Sequence, residues 1–420
     1  DHSTKNRGFF VIEQRYFDVQ SYAIFAAMLG IAGLPIYIHA PKFFVDTYGV
    51  SLSALGLALF FLRLVDFVQD PLLGKLAEST RKYRVAPVWI AGLVMALGMF
   101  GLFAIQAPIS PVLWFCLTLS AVFSGFSFLS IRFYAQGVSS FGELGQLRLA
   151  RWRETGSLLG ICLAAIAPTL LLIFSENVFW FYAVMFSGLV FVALLAMQRH
   201  WTTFSSSVAE PYSGSILSDP VVRQLLILVV LNTAPVAVSS TLFLFFVESR
   251  LLAPNMAGPL LILFFMSAAV SAPIWTFCAN RFGARRILLI AMVSAIISFA
   301  YGFFLQTGQV STFAIICVAS GATLGADLAI LPAIFARRLA STGARAEIGF
   351  GLWNFASKVS LAIAAVIVLP VLDFFGFQPG PENSETGLFA LSFGYAALPC
   401  ALKLLAIWML LRLQLGQAKT

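Results

Sequence analysis

Apolar stretches long enough to cross a membrane recur along almost the whole chain. Crossing about 30 Å of hydrocarbon takes roughly 20 apolar residues in a helix, and twelve such stretches can be marked in the 420 residues. They lie at 21–43, 52–77, 86–106, 111–137, 150–174, 177–197, 221–247, 256–280, 284–305, 310–336, 345–372 and 386–414. Only 10% of the residues are charged, compared with about 25% in an ordinary soluble domain. The sequence therefore predicts an all-α membrane protein with twelve transmembrane helices.

Basic residues are concentrated in every second connection between these stretches. They are Lys75, Arg81, Lys82, Arg84, Arg148, Arg151, Arg199, Arg281, Arg285, Arg286, Arg337, Arg338 and Arg345. The opposite connections are short or acidic. Because cytoplasmic loops of membrane proteins are enriched in Lys and Arg, we predict that both termini are cytoplasmic. These loops also account for the formal charge of +8, so we expect no nucleic-acid partner.

A polar segment in the middle of the chain divides the stretches six and six. It reads QRHWTTFSSSVAEPYSGSILSD. Pro71 and Pro273 each precede a basic turn and a new apolar helix, which indicates a parallel repeat. Two such six-helix repeats, with a site between them near the midplane, are the layout of the major facilitator fold. We predict a cytoplasmic N-terminal segment (1–20), a first six-helix bundle (21–197), a cytoplasmic linker (198–220), a second six-helix bundle (221–414) and a cytoplasmic tail (415–420).

Three charged residues interrupt the second apolar stretch. Arg63, Asp66 and Asp70 are spaced so that they share one face of a helix. Each charge costs at least ~2.5–3.5 kcal/mol near a bilayer centre, so this face should point into the protein. Two carboxylates also repel each other by roughly 4 kcal/mol at 4 Å and an effective dielectric of 20, which a bound cation or a proton would relieve. The pattern indicates a coupling-ion site; the alternative is a static Arg63–Asp66 pair that holds helices together.

A lysine near the centre of the eleventh stretch needs a partner from another helix. Asp66 and Asp70 are the obvious carboxylates for Lys358, which would then compete with the cation and act as a switch. The alternative is a permanent structural ion pair.

Other polar residues inside the apolar stretches are candidates for substrate binding. Arg153 lies deeper in the membrane than the neighbouring loop arginines, whereas Arg132 either binds an anionic group or extends to the interface. Asn232 either faces a cavity or makes a hydrogen bond between helices.

Two further residues lie in the last three apolar stretches. Asp327 lies beside Pro332, where a broken helix would line a cavity. We expect Lys403, nine residues from Arg412, to extend its ammonium to the interface.

Residues suited to metal binding or catalysis are sparse. The five cysteines all fall in apolar stretches without a CxxC motif, and the three histidines are far apart. Such cysteines are typical of buried apolar positions. We therefore expect neither an enzyme nor a cofactor, and no metal other than a coupling Na⁺.

Two segments resemble the signatures of a known transporter family. RLVDFVQDPLLGKLAESTR and TGARAEIGFGLWNFASK resemble the second- and eleventh-helix signatures of the glycoside–pentoside–hexuronide cation symporters, the melibiose permease branch of the major facilitator superfamily. YAIFAAMLG near the start and SAPIWTFCANRFGARR at the turn after the eighth stretch also resemble this family. The resemblance extends over nearly the whole chain and implies a bacterial cytoplasmic-membrane transporter.

The resemblance implies a cation site and a coupling lysine. The family's sodium-binding aspartates fall on Asp66 and Asp70, and the preceding arginine falls on Arg63. The adjacent amide, an Asn in the permease, is Gln69 here, and the fourth-helix hydroxyl falls on Ser127. Lys358 matches the buried lysine, one residue closer to the preceding acid. The coupling ion implied is Na⁺ or H⁺, with Li⁺ as a further candidate.

The resemblance retains less of the sugar site. The family's sugar-binding aspartates fall on Gly30 and Ser130, and a tryptophan falls on Tyr134, whereas the arginine persists as Arg153. Without paired carboxylates, a galactoside would be poorly hydrogen-bonded.

Together with Arg132 and Trp353, the remaining residues suit an anionic or amphipathic solute. The same superfamily branch includes animal sodium-dependent lysolipid transporters, so a lysolipid-like substrate is also implied, with a sugar or glycoside as the alternative.

The combined prediction is a cation-coupled secondary transporter that works by alternating access. Its expected partners are a small-molecule substrate, the coupling cation and the bilayer, and we expect a monomer. A proton-coupled exporter is one alternative. A membrane protein that senses a ligand or assists assembly without transport is another.

Overall fold

The computed structural model describes residues 19–171, 177–202, 215–378, 380 and 383–413. These residues are almost entirely helical and form two compact units. The predicted N-terminal segment up to residue 18, the middle of the linker (203–214) and the tail from residue 414 lie outside the described residues.

The first unit contains the described residues up to 202 together with Arg345–Gly351. The sequence places residues 345–351 in the second bundle, but they make their contacts within this unit. Its helices are α1 (Val19–Ala32), α2 (Leu34–Tyr48), α3 (Leu52–Ser79), α4 (Ala86–Phe103), α5 (Pro111–Phe141), α6 (Gln146–Leu171) and α7 (Val178–Thr202), and the start of α12 (Ala346–Phe374) joins them.

The second unit contains the described residues 215–344 and those after Gly351. An aromatic cluster lies in its core, where Phe246 stacks on Tyr395 with ring centroids 4.2 Å apart. Its helices are α8 (Pro220–Phe245), α9 (Ala257–Phe282), α10 (Ala284–Ala300), α11 (Val310–Thr342), the rest of α12, α13 (Glu385–Ser392) and α14 (Leu398–Arg412). The π-helical turns Phe246–Arg250 and Phe393–Ala397 extend α8 and join α13 to α14.

An aspartate caps the N-terminus of α8. Asp219 accepts a hydrogen bond from the backbone N–H of Val221 at 2.8 Å, and Arg338 donates to its other oxygen at 2.8 Å. Burial raises the pKa of Asp219, but these hydrogen bonds outweigh it and the net pKa is lowered. The cap satisfies a backbone donor at the start of the helix.

Nine segments of the described chain are long and apolar enough to cross a membrane. The long helices α3 and α6 carry charged side chains along their length, among them Asp66 and Arg153. The predicted all-helical membrane architecture is therefore confirmed, and the charged helices are the ones that carry the candidate sites.

Glycines allow α1 and α6 to pack with their backbones in close contact. A Cβ atom would lie 2.3 Å from the carbonyl oxygen of Ala23 if placed on Gly156, and 2.2 Å from that of Ala27 if placed on Gly160. A residue at either position therefore cannot carry a side chain unless the helices separate. This is the small-residue packing common between membrane helices.

We predict that Gly160→Ala destabilises the protein by about 2 kcal/mol, because the added methyl group overpacks a backbone contact. Gly188→Ala is the matched control, since Gly188 lies in α7 and a Cβ atom placed on it would have no neighbour within 4 Å. Helix propensity alone should make the control neutral or more stable by about 0.5 kcal/mol. Chemical unfolding in detergent measures both, and equal effects would contradict the close packing of α1 and α6.

Candidate functional site

The predicted cation-site residues of α3 meet two serines of α5. Ser127 donates a hydrogen bond to Asp66 Oδ1 at 3.3 Å, and the Gln69 amide nitrogen donates to the same oxygen at 3.2 Å. Ser124, which the sequence did not indicate, donates to Gln69 Oε1 at 2.8 Å. Ser124 and Ser127 are three residues apart, so they share the face of α5 that packs against α3.

Both aspartates of this cluster are buried. Asp66 is 8% exposed and Asp70 is fully buried. Positions four apart on a helix are neighbours on one face, so α3 places two acids in the interior within about one turn. Oxygen atoms of carboxylates and hydroxyls are also the ligands that hard cations prefer. The cluster therefore has the composition of a site for a small cation or for a proton shared between acids.

The two residues predicted to assist coupling are placed differently. Arg63 is exposed on α3, in contrast to the aspartates that follow it. Lys358 is half-buried in the part of α12 that belongs to the second unit.

A second buried cluster joins α5 to α6 in the first unit. Arg153 Nε donates to Glu154 Oε1 at 2.6 Å, and the Tyr134 hydroxyl donates to the same oxygen at 3.1 Å. The Arg153 guanidinium also lies 3.8 Å from the centroid of the Tyr134 ring. Glu154 thus neutralises the charge of Arg153. The sequence analysis did not assign this role to Glu154.

Arg153 and Tyr134 line a cavity of about 200 Å³. Its lining includes four of the predicted substrate residues, Gly30, Ser130, Tyr134 and Arg153. Among the described residues, Arg153 Nη2 has no hydrogen-bond partner. The cavity is therefore lined by an arginine with an unpartnered guanidinium nitrogen, among mainly aromatic and small side chains.

Gly30 is the position where the family resemblance would place a carboxylate. A Cβ atom on Gly30 would lie 2.1 Å from the carbonyl oxygen of Ser157. The close contact between α1 and α6 leaves no room for an aspartate there. The absence of this acid from the sequence therefore has a packing reason.

Arg132, a further predicted substrate residue, lies outside this cavity lining. It is 2% exposed, and its guanidinium lies 3.3 Å from Glu347 and 3.3 Å from the carbonyl oxygen of Arg84. Arg81 lies 3.7 Å from the same Glu347 oxygen. Arg132 is therefore held by a carboxylate and by a carbonyl of the α3–α4 connection within the first unit, and both alternatives for its role stay predictions.

The remaining predicted substrate residues belong to the second unit. Trp353 packs against Phe335, with ring centroids 4.8 Å apart. Asn232 and Asp327 both contact Lys403: the ammonium donates to Asn232 Oδ1 at 2.7 Å and to Asp327 Oδ2.

Two sequence expectations fail in this second unit. Lys403 does not extend to the interface, because it is 4% exposed and paired with Asp327. The helix is also not broken at Pro332, since α11 runs without interruption from Val310 to Thr342.

The fold and the buried charged clusters define a membrane transporter of the major facilitator type. A family model described as MFS/sugar transport protein matches residues 19–417. The chain belongs to this family, which is the glycoside–pentoside–hexuronide, melibiose permease-like family. A comparison with curated protein sequences finds no match.

Solved transporter structures share the fold at low sequence identity. A bacterial homologue of the iron transporter ferroportin, in an outward-facing state, is 14% identical with a TM-score of 0.66, over 94% of this chain and 99% of that one. The fucose:proton symporter FucP of E. coli is 15% identical with a TM-score of 0.67, over 93% of this chain and 98% of that one. The similarity at these identities concerns the fold.

We predict that Glu154→Gln destabilises the protein by about 3 kcal/mol, because it leaves the buried Arg153 charge without its counter-charge. Tyr134→Phe is the matched comparison, since it removes one hydrogen bond to the same oxygen and should cost about 1.5 kcal/mol or less. Chemical unfolding of both variants in detergent provides the measurement. A Glu154→Gln variant as stable as Tyr134→Phe would show that the ion pair is not the main stabilising contact.

Proposed function

We propose that this protein is a cation-coupled secondary active transporter that moves a small amphipathic or anionic solute across the bacterial cytoplasmic membrane by alternating access. In this proposal twelve helices cross the membrane, both termini are cytoplasmic and the protein is a monomer. The observation that carries the proposal is the buried pair of aspartates on α3. Gln69 and Ser127 donate hydrogen bonds to one of them, Asp66.

Two acids within one helical turn favour a positive species between them. Their mutual repulsion is on the order of 4 kcal/mol at 4 Å and an effective dielectric of 20, and a Na⁺ ion or a proton removes it. Occupancy then changes the charge of the first unit. A change of this kind shifts the balance between conformations, because the cation binds one of them more tightly.

Gln69 orients Asp66 in this proposal. Its amide nitrogen faces the carboxylate while its oxygen accepts the hydroxyl of Ser124. The cation is held by Asp66, Asp70 and the Ser127 hydroxyl. On sequence grounds we propose Lys358 as the residue that responds to occupancy, with Arg63 assisting.

The cavity around Arg153 is the proposed substrate site. Its lining, among the described residues, is mainly aromatic and small and contains no carboxylate, and the adjacent residue in the chain, Glu154, is engaged by Arg153 and Tyr134. Arg153 Nη2 can donate to a carboxylate, a phosphate or a hydroxyl oxygen of the solute. This favours an amphipathic solute with an oxygen-rich head, such as a lysolipid, over a sugar that needs several acceptors.

Flux into proteoliposomes tests the proposal. Vesicles loaded with a pH-sensitive dye and, in parallel, with a sodium-sensitive dye receive lysophosphatidylcholine, glucuronate or a neutral disaccharide. We expect one class to drive inward movement of Na⁺ or H⁺. Outward proton movement would indicate an exporter, and binding without any flux would indicate a sensor.

We predict that Asp70→Asn reduces cation-driven uptake at least tenfold while the protein remains folded, since the change removes charge at nearly constant volume. Asp373→Asn is the matched control, because Asp373 is an exposed acid near the end of α12. The rates of uptake and the thermal unfolding midpoints are compared for both. Unchanged cation-driven uptake by a folded Asp70→Asn variant would remove this aspartate from the mechanism.

A further inference from the structure

A buried ion pair in the second unit is separate from the proposed cation and substrate residues. Lys403 of α14 contacts Asp327 of α11 and Asn232 of α8. All three residues are at least nine-tenths buried. One acid and one base are present, so the pair is neutral overall.

The pair leaves one donor and one acceptor unused. A lysine ammonium has three N–H groups, and the contacts made by the described residues take two of them. Asp327 Oδ1 is buried and has no hydrogen-bond partner in the part of the chain that the structure describes. A buried carboxylate oxygen without a hydrogen-bond partner costs free energy. The site therefore favours a ligand that can donate a hydrogen bond to this oxygen.

A cavity of about 50 Å³ lies next to these groups, and Asp327 and Lys403 both line it. This volume exceeds that needed for one water molecule. The other walls are mainly apolar and include Phe264, Phe299 and Leu324.

The three hydroxyls in the described lining already donate within their own helices, and Ser239 donates to the carbonyl oxygen of Pro235 at 3.0 Å. Ser320 donates to the carbonyl oxygen of Ile316 at 2.6 Å, and Thr323 donates to that of Ser320 at 2.8 Å. They therefore leave Asp327 Oδ1 to a donor supplied by a ligand.

We propose that this cavity binds an apolar molecule through a single neutral hydroxyl group. The hydroxyl donates to Asp327 Oδ1 and accepts from the third N–H of Lys403, while the apolar part lies against the aromatic walls. A charged group is disfavoured, because the ion pair is already neutral and offers no net charge to offset the desolvation of an ion.

Exposed apolar side chains on α10 and α14, two helices that line the cavity, suit an apolar ligand. Ile297 of α10 and Leu404 of α14 are 70% and 57% exposed. These helices also contribute Ile296 and Cys400 to the cavity lining. A ligand that dissolves in the bilayer is therefore the chemistry that the surroundings favour.

Cys400 provides a reporter inside the cavity, and it is half-buried. The test uses the full chain with the other cysteines replaced by serine or alanine, namely Cys116, Cys162, Cys278 and Cys317. The rate of alkylation by N-ethylmaleimide is measured in detergent with 1-octanol, which donates and accepts, and with octyl methyl ether, which only accepts. Octylamine and octanoate serve as charged probes.

We expect 1-octanol to slow the alkylation at least about fivefold more than the ether does at equal concentration, because the alcohol makes one additional hydrogen bond. Equal protection by alcohol and ether would overturn the proposal. Stronger protection by either charged probe would also overturn it, and so would a Cys400 that does not react in the absence of a probe.

A variant without the ion pair shows whether Asp327 and Lys403 cause the preference for alcohol over ether. The triple substitution Asn232→Leu, Asp327→Leu and Lys403→Met removes all three polar groups together, which usually preserves folding better than breaking a pair. We expect this variant to lose the preference for alcohol over ether. If the preference persists in the folded variant, the hydroxyl is not bound by Asp327 and Lys403.

A second readout does not depend on Cys400. The thermal unfolding midpoint of the unaltered chain should rise more with 1-octanol than with the ether, because a ligand that binds only the folded state stabilises it. An equal shift with both probes would overturn the proposal, because the hydroxyl would then add nothing to the binding.

Discussion

The cost of burying charge among apolar helices is the constraint on which this structure depends. The structure meets it in different ways in three of the buried clusters of the described chain. Arg153 is balanced by Glu154, and Lys403 is balanced by Asp327, so each of these clusters pairs one base with one acid. The cluster on α3 instead places Asp66 and Asp70 within one turn. Two acids on one face distinguish this cluster, for which we propose a change of occupancy, from the two pairs whose charges already balance.

Small side chains allow these clusters to form. Gly156 and Gly160 bring the backbones of α1 and α6 together, and Gly30 does the same from α1. The cavity beside Arg153 is bounded by these same helices. On α5, the short side chains of Ser124 and Ser127 reach the polar face of α3. Small residues, glycine and serine, therefore serve both the close packing of the helices and the contacts of the candidate sites.

Much of this organisation could be predicted from the sequence, because charged residues are rare in apolar stretches. The stripe on α3 indicated a buried polar face, which holds for Asp66 and Asp70 but not for the exposed Arg63. The family resemblance identified Ser127 of α5 as the neighbour of Asp66. The family itself was predicted correctly from the two signatures. The coupling ion, the substrate and the residues that bind them stay predictions.

Pairings between distant helices could not be predicted in the same way. Lys403 was expected to extend to the interface because of its distance from the helix end, but its partner Asp327 lies 76 residues away in the chain. Arg132 likewise meets Glu347 across 215 residues. Sequence spacing gives the face of one helix, whereas the choice of partner depends on the tertiary packing. Glu154 was missed as the partner of Arg153 for another reason, since adjacent residues on a helix usually point in different directions.

The measurement that tests the central claim most directly is thermal unfolding of the purified protein in detergent, in NaCl, LiCl, KCl and choline chloride at two pH values, with Asp66→Asn alongside. A cation that binds only the folded state at a hundred times its dissociation constant adds about 2.7 kcal/mol. The account predicts stabilisation by Na⁺ or Li⁺ over choline, or a pH dependence for proton coupling, and in either case its loss in Asp66→Asn. A midpoint that is indifferent to every cation and to pH, or an equal response in the variant, would contradict it.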